Sequence, residues 1–270
     1  SAVDAEADKK AELEVFYYMA LCHFRKDVGA AKKLASFREE EEYSGQLDTI
    51  LSTLGWFHRA TEQYSKGYNY YQEAAERATD PTTRASAIAG QAYCLRDRGD
   101  EDEALACLTS AIQDMRGNSG PLAVLYRALA SMHQEADRKL EYALACEKLA
   151  EHEPTDSKAI FKAAYAQSHA SLPLLSLHNY ARELGLDESD ASGRNNYAVQ
   201  LAELGLSIRA VRQYRRAKED GNTLAAANLA YLYLGKGFAE DAEAILDEAR
   251  KTKDYHGNVD RALAQLRANS

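Results

Sequence analysis

Residues that interrupt or staple a chain are scarce in this sequence. Four prolines in 270 residues leave no linker rich in Pro, Gly or Ser, and no strand pattern stands out. Four cysteines (Cys22, Cys94, Cys107 and Cys146) occur without close pairing, so neither a disulfide framework nor a CxxC zinc site is present. A bridge from Cys94 to Cys107 is one reading. Inert thiols inside helices, in a reducing compartment, is the reading that suits their positions better. No apolar run approaches the roughly 18 residues of a membrane span, and no signal peptide is expected. The start at Ser1, without Met, leads to the expectation of a trimmed or excised piece. Basic excess is missing as well: 33 Lys and Arg face 42 Asp and Glu, for a net charge of -9. That balance argues against general affinity for nucleic acid or an anionic membrane. A cytoplasmic location is the expectation.

Catalytic patterns are equally sparse. The seven His form no HExxH, and His169 and His178, which flank a Pro, make no evident ligand set. "GKGFAE" (235–240) looks superficially like a phosphate-binding loop, but it follows a helical segment and not a strand. The acidic run "REEEEY" (38–43) reads as a solvated helix end. No nucleophile sits beside a base. The expectation is therefore no enzyme, no cofactor, no metal and no small-molecule substrate.

A repeated spacing carries the positive information. Ala198, Leu201, Gly205, Ala210, Tyr214 and Ala217 are separated by 3, 4, 5, 4 and 3 residues. Ala230, Tyr233, Gly237, Ala242, Leu246 and Ala249 repeat those separations 32 residues later. A fixed period of this size means a solenoid. Small Ala198 lets a partner helix approach, Leu201 fills the gap one turn on, and Gly205 ends the helix in the left-handed conformation. Ala210, Tyr214 and Ala217 then share one face of a second helix.

These residues closely resemble the tetratricopeptide repeat. Weaker copies extend upstream. Gly55, His58, Gly67, Tyr71 and Ala74 form one, with Glu62 at the turn position and Pro81 closing it. Gly90, Tyr93, Gly99, Ala104, Leu108 and Ala111 form the next. Ala130, His133, Ala143 and Ala150 follow without a turn Gly, and then comes a degenerate unit with Pro173 in its second helix and Gly185 as its cap. The resemblance implies an all-α, right-handed α-α superhelix of about seven helix pairs plus a C-terminal capping helix. The expected order is a disordered lead (1–9), a degenerate helix pair (10–45) broken near Asp27 to Gly29, repeats at 46–81, 82–118, 119–155, 156–188, 189–222 and 223–256, and the cap (257–270). Val259, Leu263 and Leu266 face inward in that cap.

The resemblance also implies a function without chemistry: a protein or peptide partner held as an extended segment in the concave groove. Asn196 and Asn228 stand at equivalent points of consecutive repeats, where related proteins bond a peptide backbone through a carboxamide. Lys162, Tyr165 and Asn195 fall on the same side by register, with Lys158 and Arg194 nearby, and Tyr231 and Trp56 add groove aromatics. A carboxylate clamp of the co-chaperone type is matched by Lys162 and Asn196 but not by Leu224 and Asn228, which stand where its last basic residues belong. Arg209, Arg212 and Arg216 lie on a second helix, on the convex side. The competing reading is a sensor or oligomerisation arm of a larger signalling or defence-type protein with a separate effector domain.

Overall fold

The computed structural model describes the backbone of residues 2–268 and the side chains of residues 9–268. Ser1 and positions 269 and 270, which the sequence assigns to the lead and the cap, lie outside the described residues. All regular structure among the described residues is helical, and it falls into two compact units, Ser1–Asp137 and Arg138–Ser270.

The first unit opens with α1 (Ala2–Arg25) and α2 (Val28–Phe37), followed by a 3-10 turn at Glu41–Gln46. Then come α3 (Leu47–Ala60), α4 (Tyr64–Arg77), α5 (Pro81–Arg98), α6 (Glu101–Asp114) and α7 (Ser119–Glu135). Each of α3 to α6 packs on the next helix in the chain, and α5 also packs on α3 and α7. In the second unit α8 (Lys139–His152) packs on α9 (Ser157–His169), which pairs with α10 (Pro173–Leu186). The pairs α11 (Ala191–Glu203) with α12 (Ser207–Glu219) and α13 (Thr223–Leu234) with α14 (Ala239–Arg250) follow, and α15 (Asn258–Ala268) closes on α13 and α14. Contact confined to a helix pair and the pairs next to it is the packing of a solenoid. The unit boundary falls inside the segment 119–155, so α7 belongs to the first unit and α8 to the second.

Local chemistry explains where the helices start and turn. Asp80, Asp156, Asp190 and Asn222 accept backbone N–H groups at the starts of α5, α9, α11 and α13, and Asp27 does so for α2. The turns that follow α1, α3, α5, α7, α9, α11 and α13 each hold one residue at positive φ. Three are Gly99, Gly205 and Gly237; the other four are Lys26, Glu62, Asp137 and Ser171. Glu62 thus adopts the conformation its position in the spacing calls for, without being glycine.

Alanine dominates the core. Ala74, Ala85, Ala104, Ala198, Ala210, Ala230 and Ala242 are all fully buried, which brings helix backbones close together. Larger side chains fill the remaining gaps: the Tyr71 ring occupies the space left by Gly55 and Gly90, where added Cβ atoms would lie 2.9 and 2.5 Å from it. Val259, Leu263 and Leu266 are buried in α15.

Three details differ from the expectations. Gly185 lies inside α10, which continues to Leu186 and ends at Asp187, so it is not a cap. Pro81 occupies the first turn of α5 and opens a helix pair instead of closing one, as its fixed φ and missing N–H favour. The backbone of residues 2–9 is helical and forms the start of α1, in keeping with its three alanines.

Candidate functional site

The asparagines of α11 and α13 form a ladder. Asn228 donates from Nδ2 to Oδ1 of Asn195 at 2.9 Å, and Asn195 donates from Nδ2 to Oδ1 of Asn196 at 3.1 Å. Asn196 also shares a hydrogen bond with the hydroxyl of Tyr180, on α10. Asn195 is 2 % exposed, while Asn196 and Asn228 are half-buried. Asn195 therefore holds its neighbours in place and does not itself face a ligand, which corrects its assignment as a contact residue. Each outer carboxamide keeps unused hydrogen-bonding capacity, because Asn offers two donors and an acceptor with two lone pairs.

Of the remaining candidates, Tyr165 lies near Tyr180 and the others lie apart from it. Phe161 meets the Tyr180 ring edge-on at 5.7 Å and stacks with Tyr165 at 6.4 Å. Tyr165 is 48 % exposed and touches His169. Lys162 is half-buried, its Nζ 5.7 Å above the Tyr142 ring, so one face of its ammonium is already engaged. Tyr231 is half-buried against the core of α13 to α15. Lys158 is exposed at the rim of a separate cavity near the starts of α9 and α11. Arg194, 5 % exposed, donates to Gln213 and to the carbonyl of Glu188, and is unavailable to a ligand.

Trp56 is not an open groove aromatic. The His23 ring of α1 lies 4.1 Å from it, and the indole packs on the buried cluster of α1 to α3. Nothing in the spacing reveals this, because α1 carries no repeat consensus.

Two polar clusters escaped the sequence. In the first unit, Asp97 accepts from Arg59 Nε at 2.6 Å and from Arg96 at 2.7 Å, and Arg96 reaches Glu135 at 2.8 Å. Both guanidinium groups lie about the Tyr93 ring, at 4.9 and 5.1 Å. The cluster spans α3, α5 and α7 with balanced charge. In the second unit, Glu147 accepts from Gln167 and Asn179, both fully buried, and Arg182 donates to Asn179. The sequence signal for such clusters is weak, since their members lie on different helices.

Among the described residues, no group of His, Cys, Asp and Glu could hold a metal ion, and no helix is long and apolar enough to cross a membrane. The four cysteines are free. Burial pushes the thiols of Cys22 and Cys146 up to about 11 and that of Cys94 up to about 12, so these three are not thiolates near neutrality.

No family model and no curated protein matches the chain. Solved structures do. The C-terminal part of a TPR repeat-containing protein from Cytophaga hutchinsonii superimposes with a TM-score of 0.66 at 13% identity, covering 92% of this chain and 99% of that one. YrrB, described as a TPR protein with an unusual peptide-binding site, gives 0.55 at 21% identity over 72% of this chain and 97% of its own. A tetratricopeptide repeat protein from Parabacteroides merdae gives 0.51 at 14% identity, over 83% and 87%. The fold is thus the all-α tetratricopeptide-type solenoid that the repeated spacing implies.

Proposed function

We propose that this protein is a non-catalytic interaction scaffold that binds an extended peptide or partner segment along the first helices of its second unit, α9, α11 and α13. One observation carries the reading. Asn196 and Asn228 recur at the same point of consecutive first helices, and Asn195 and Tyr180 fix their orientation before any ligand arrives. Preorganised carboxamides suit a peptide backbone, whose N–H and C=O groups are the same whatever the side chains. Orientation set in advance lowers the ordering cost of binding. Tyr165 and Tyr231 add amphipathic contact area beside them, and Lys162 adds a charge that favours acidic residues. The likeness to peptide-binding YrrB is one of fold, and lends the reading no specific contact.

The test is a selection from a displayed library of extended peptides, followed by titration of the best binder. Asn196→Ala and Asn228→Ala should each weaken it by about 1–3 kcal/mol without unfolding the protein, since a peptide group is left desolvated and unpaired. Lys162→Ala should weaken acidic peptides more than neutral ones, and mainly at low salt. A binder indifferent to both Asn substitutions would place the binding surface elsewhere.

A further inference from the structure

A cavity of about 290 Å³ lies between the start of α9, the end of α10 and the start of α11, apart from the asparagine ladder. Ser157, Lys158, Phe161, Glu183, Asp187 and Asp190 line most of it. Three of these six are acids, and one of the three is unusual. Glu183 is 1 % exposed, and its Oε2 accepts no hydrogen bond from the protein. A buried carboxylate oxygen with nothing to accept from is costly, and such groups are rare.

The backbone is shaped to leave room for it. Gly193, on α11, lies directly against the carboxyl, and a Cβ there would collide with Glu183 Oε2 and with Asp190. Among the described residues, no cation donates a hydrogen bond to Glu183 Oε2. Arg194 opposes the negative charge from nearby, but its hydrogen bonds go to Gln213 and to the Glu188 carbonyl. Asp187 and Asp190 are occupied by local turns, accepting from the backbone N–H groups of Ser189 and Ser192. Both add negative potential at the mouth, and Asp190 shares a hydrogen bond with the protonated Glu183 carboxyl, which leaves the ionised form without a partner.

We infer that this cavity is a binding site for a single cationic side chain, the ammonium of a lysine or the guanidinium of an arginine supplied by a partner, with Glu183 as its counter-ion. Phe161 offers an apolar wall for the methylene stem and a ring face for the charge. Asp187 and Asp190 attract the cation from outside, while Lys158, exposed at the rim, opposes it in part. The pairing would satisfy a desolvated carboxylate with a charge-assisted hydrogen bond, the strong kind.

The proton balance adds a signature. Burial first, then the charges of Asp190 and Asp187, push the Glu183 carboxyl up to about 7, with Arg194 opposing. A cation that needs the ionised form must displace that proton. Only about a tenth of the site is ionised at pH 6 and about nine-tenths at pH 8, so affinity should rise roughly tenfold between them.

The inference does not depend on the peptide surface proposed above, because small probes test it directly. The probes are Nα-acetyl-lysine methylamide and Nα-acetyl-arginine methylamide, with the norleucine analogue as the uncharged control. Binding is followed by NMR through the backbone amides of Ser192 and Gly193. Saturable shifts are expected with both cations, roughly tenfold tighter at pH 8 than at pH 6, and none with norleucine. Glu183→Gln should abolish them. Asp187→Asn, at the exposed mouth, should weaken binding several-fold, and it keeps the test valid if the buried substitution disturbs folding. Equal shifts with norleucine, no saturable shift, or a flat pH dependence in the wild-type protein would each overturn the assignment.

Discussion

Gly193 leaves the space that the Glu183 carboxyl fills, and the two residues fix each other's identity across the α10–α11 contact. The acid is folded into a place where its charge is penalised, so it links stability to pH. Its ordinary value is 4.5 and its folded value is about 7. The folded chain therefore holds a proton that the unfolded chain has released throughout that window. Stability contributed by this group is intact below about 4.5, falls as pH rises towards 7, and is lost above it. The expected size is roughly 2–3 kcal/mol. Urea unfolding of wild type and Glu183→Gln at pH 5 and pH 8 checks this, because the difference between the two should change by that amount. A constant difference would mean that the carboxyl titrates normally.

Tyr71 makes a similar demand on Gly90. The ring is clamped from both sides, and a methyl group at either Gly55 or Gly90 would enter it. Alanine is the better helix former by about 1 kcal/mol. Overpacking should outweigh that gain, so Gly90→Ala is expected to lose about 1–3 kcal/mol net in denaturant unfolding. A Tyr71→Phe background should behave the same way, since the ring and not the hydroxyl is in contact.

Much of this was legible in advance, and the residues show why some was not. The period was visible wherever glycine occupies the turn, at Gly99, Gly205 and Gly237. Asp137 and Ser171 adopt the same left-handed turn without a glycine to mark it. The register of Asn196 and Asn228 followed from the spacing alone. That Asn195 is the buried link could not, since its partner Asn228 lies on the next first helix. Trp56 departs from its expected place for a related reason: the helix that packs on it, α1, has no consensus to read. Nothing in the spacing singles out Glu183, because its burial depends on the approach of Gly193 from the next helix.

The non-glycine turns carry a testable cost. A left-handed conformation costs an L-residue roughly 1–2 kcal/mol, while glycine enters it freely but has more entropy to lose on folding. Ser171 is exposed at φ 60°. Ser171→Gly should therefore stabilise the fold by up to about 1 kcal/mol, and Gly205→Ala, at φ 76°, should destabilise it by a similar amount. Thermal unfolding of the two variants should shift the midpoint in opposite directions. Shifts of the same sign would mean that these turns are not strained.

The asparagine ladder allows structural and binding roles to be separated. Asn195 is buried and bonded at both ends of its carboxamide, so Asn195→Ala removes two hydrogen bonds and leaves a gap. About 1–2 kcal/mol of stability should be lost. Asn196 and Asn228 are half-exposed, and water can replace part of what either loses. Their alanine variants should cost less than about 1 kcal/mol each. For a bound peptide the order should be reversed in kind: the outer two lose direct contacts, while Asn195→Ala weakens binding only by releasing their orientation. A double-mutant cycle between Asn195 and Asn228 should return a coupling of about 0.5–1.5 kcal/mol in the free protein. No coupling there, combined with undiminished peptide affinity in Asn195→Ala, would show that the ladder does not preorganise the site.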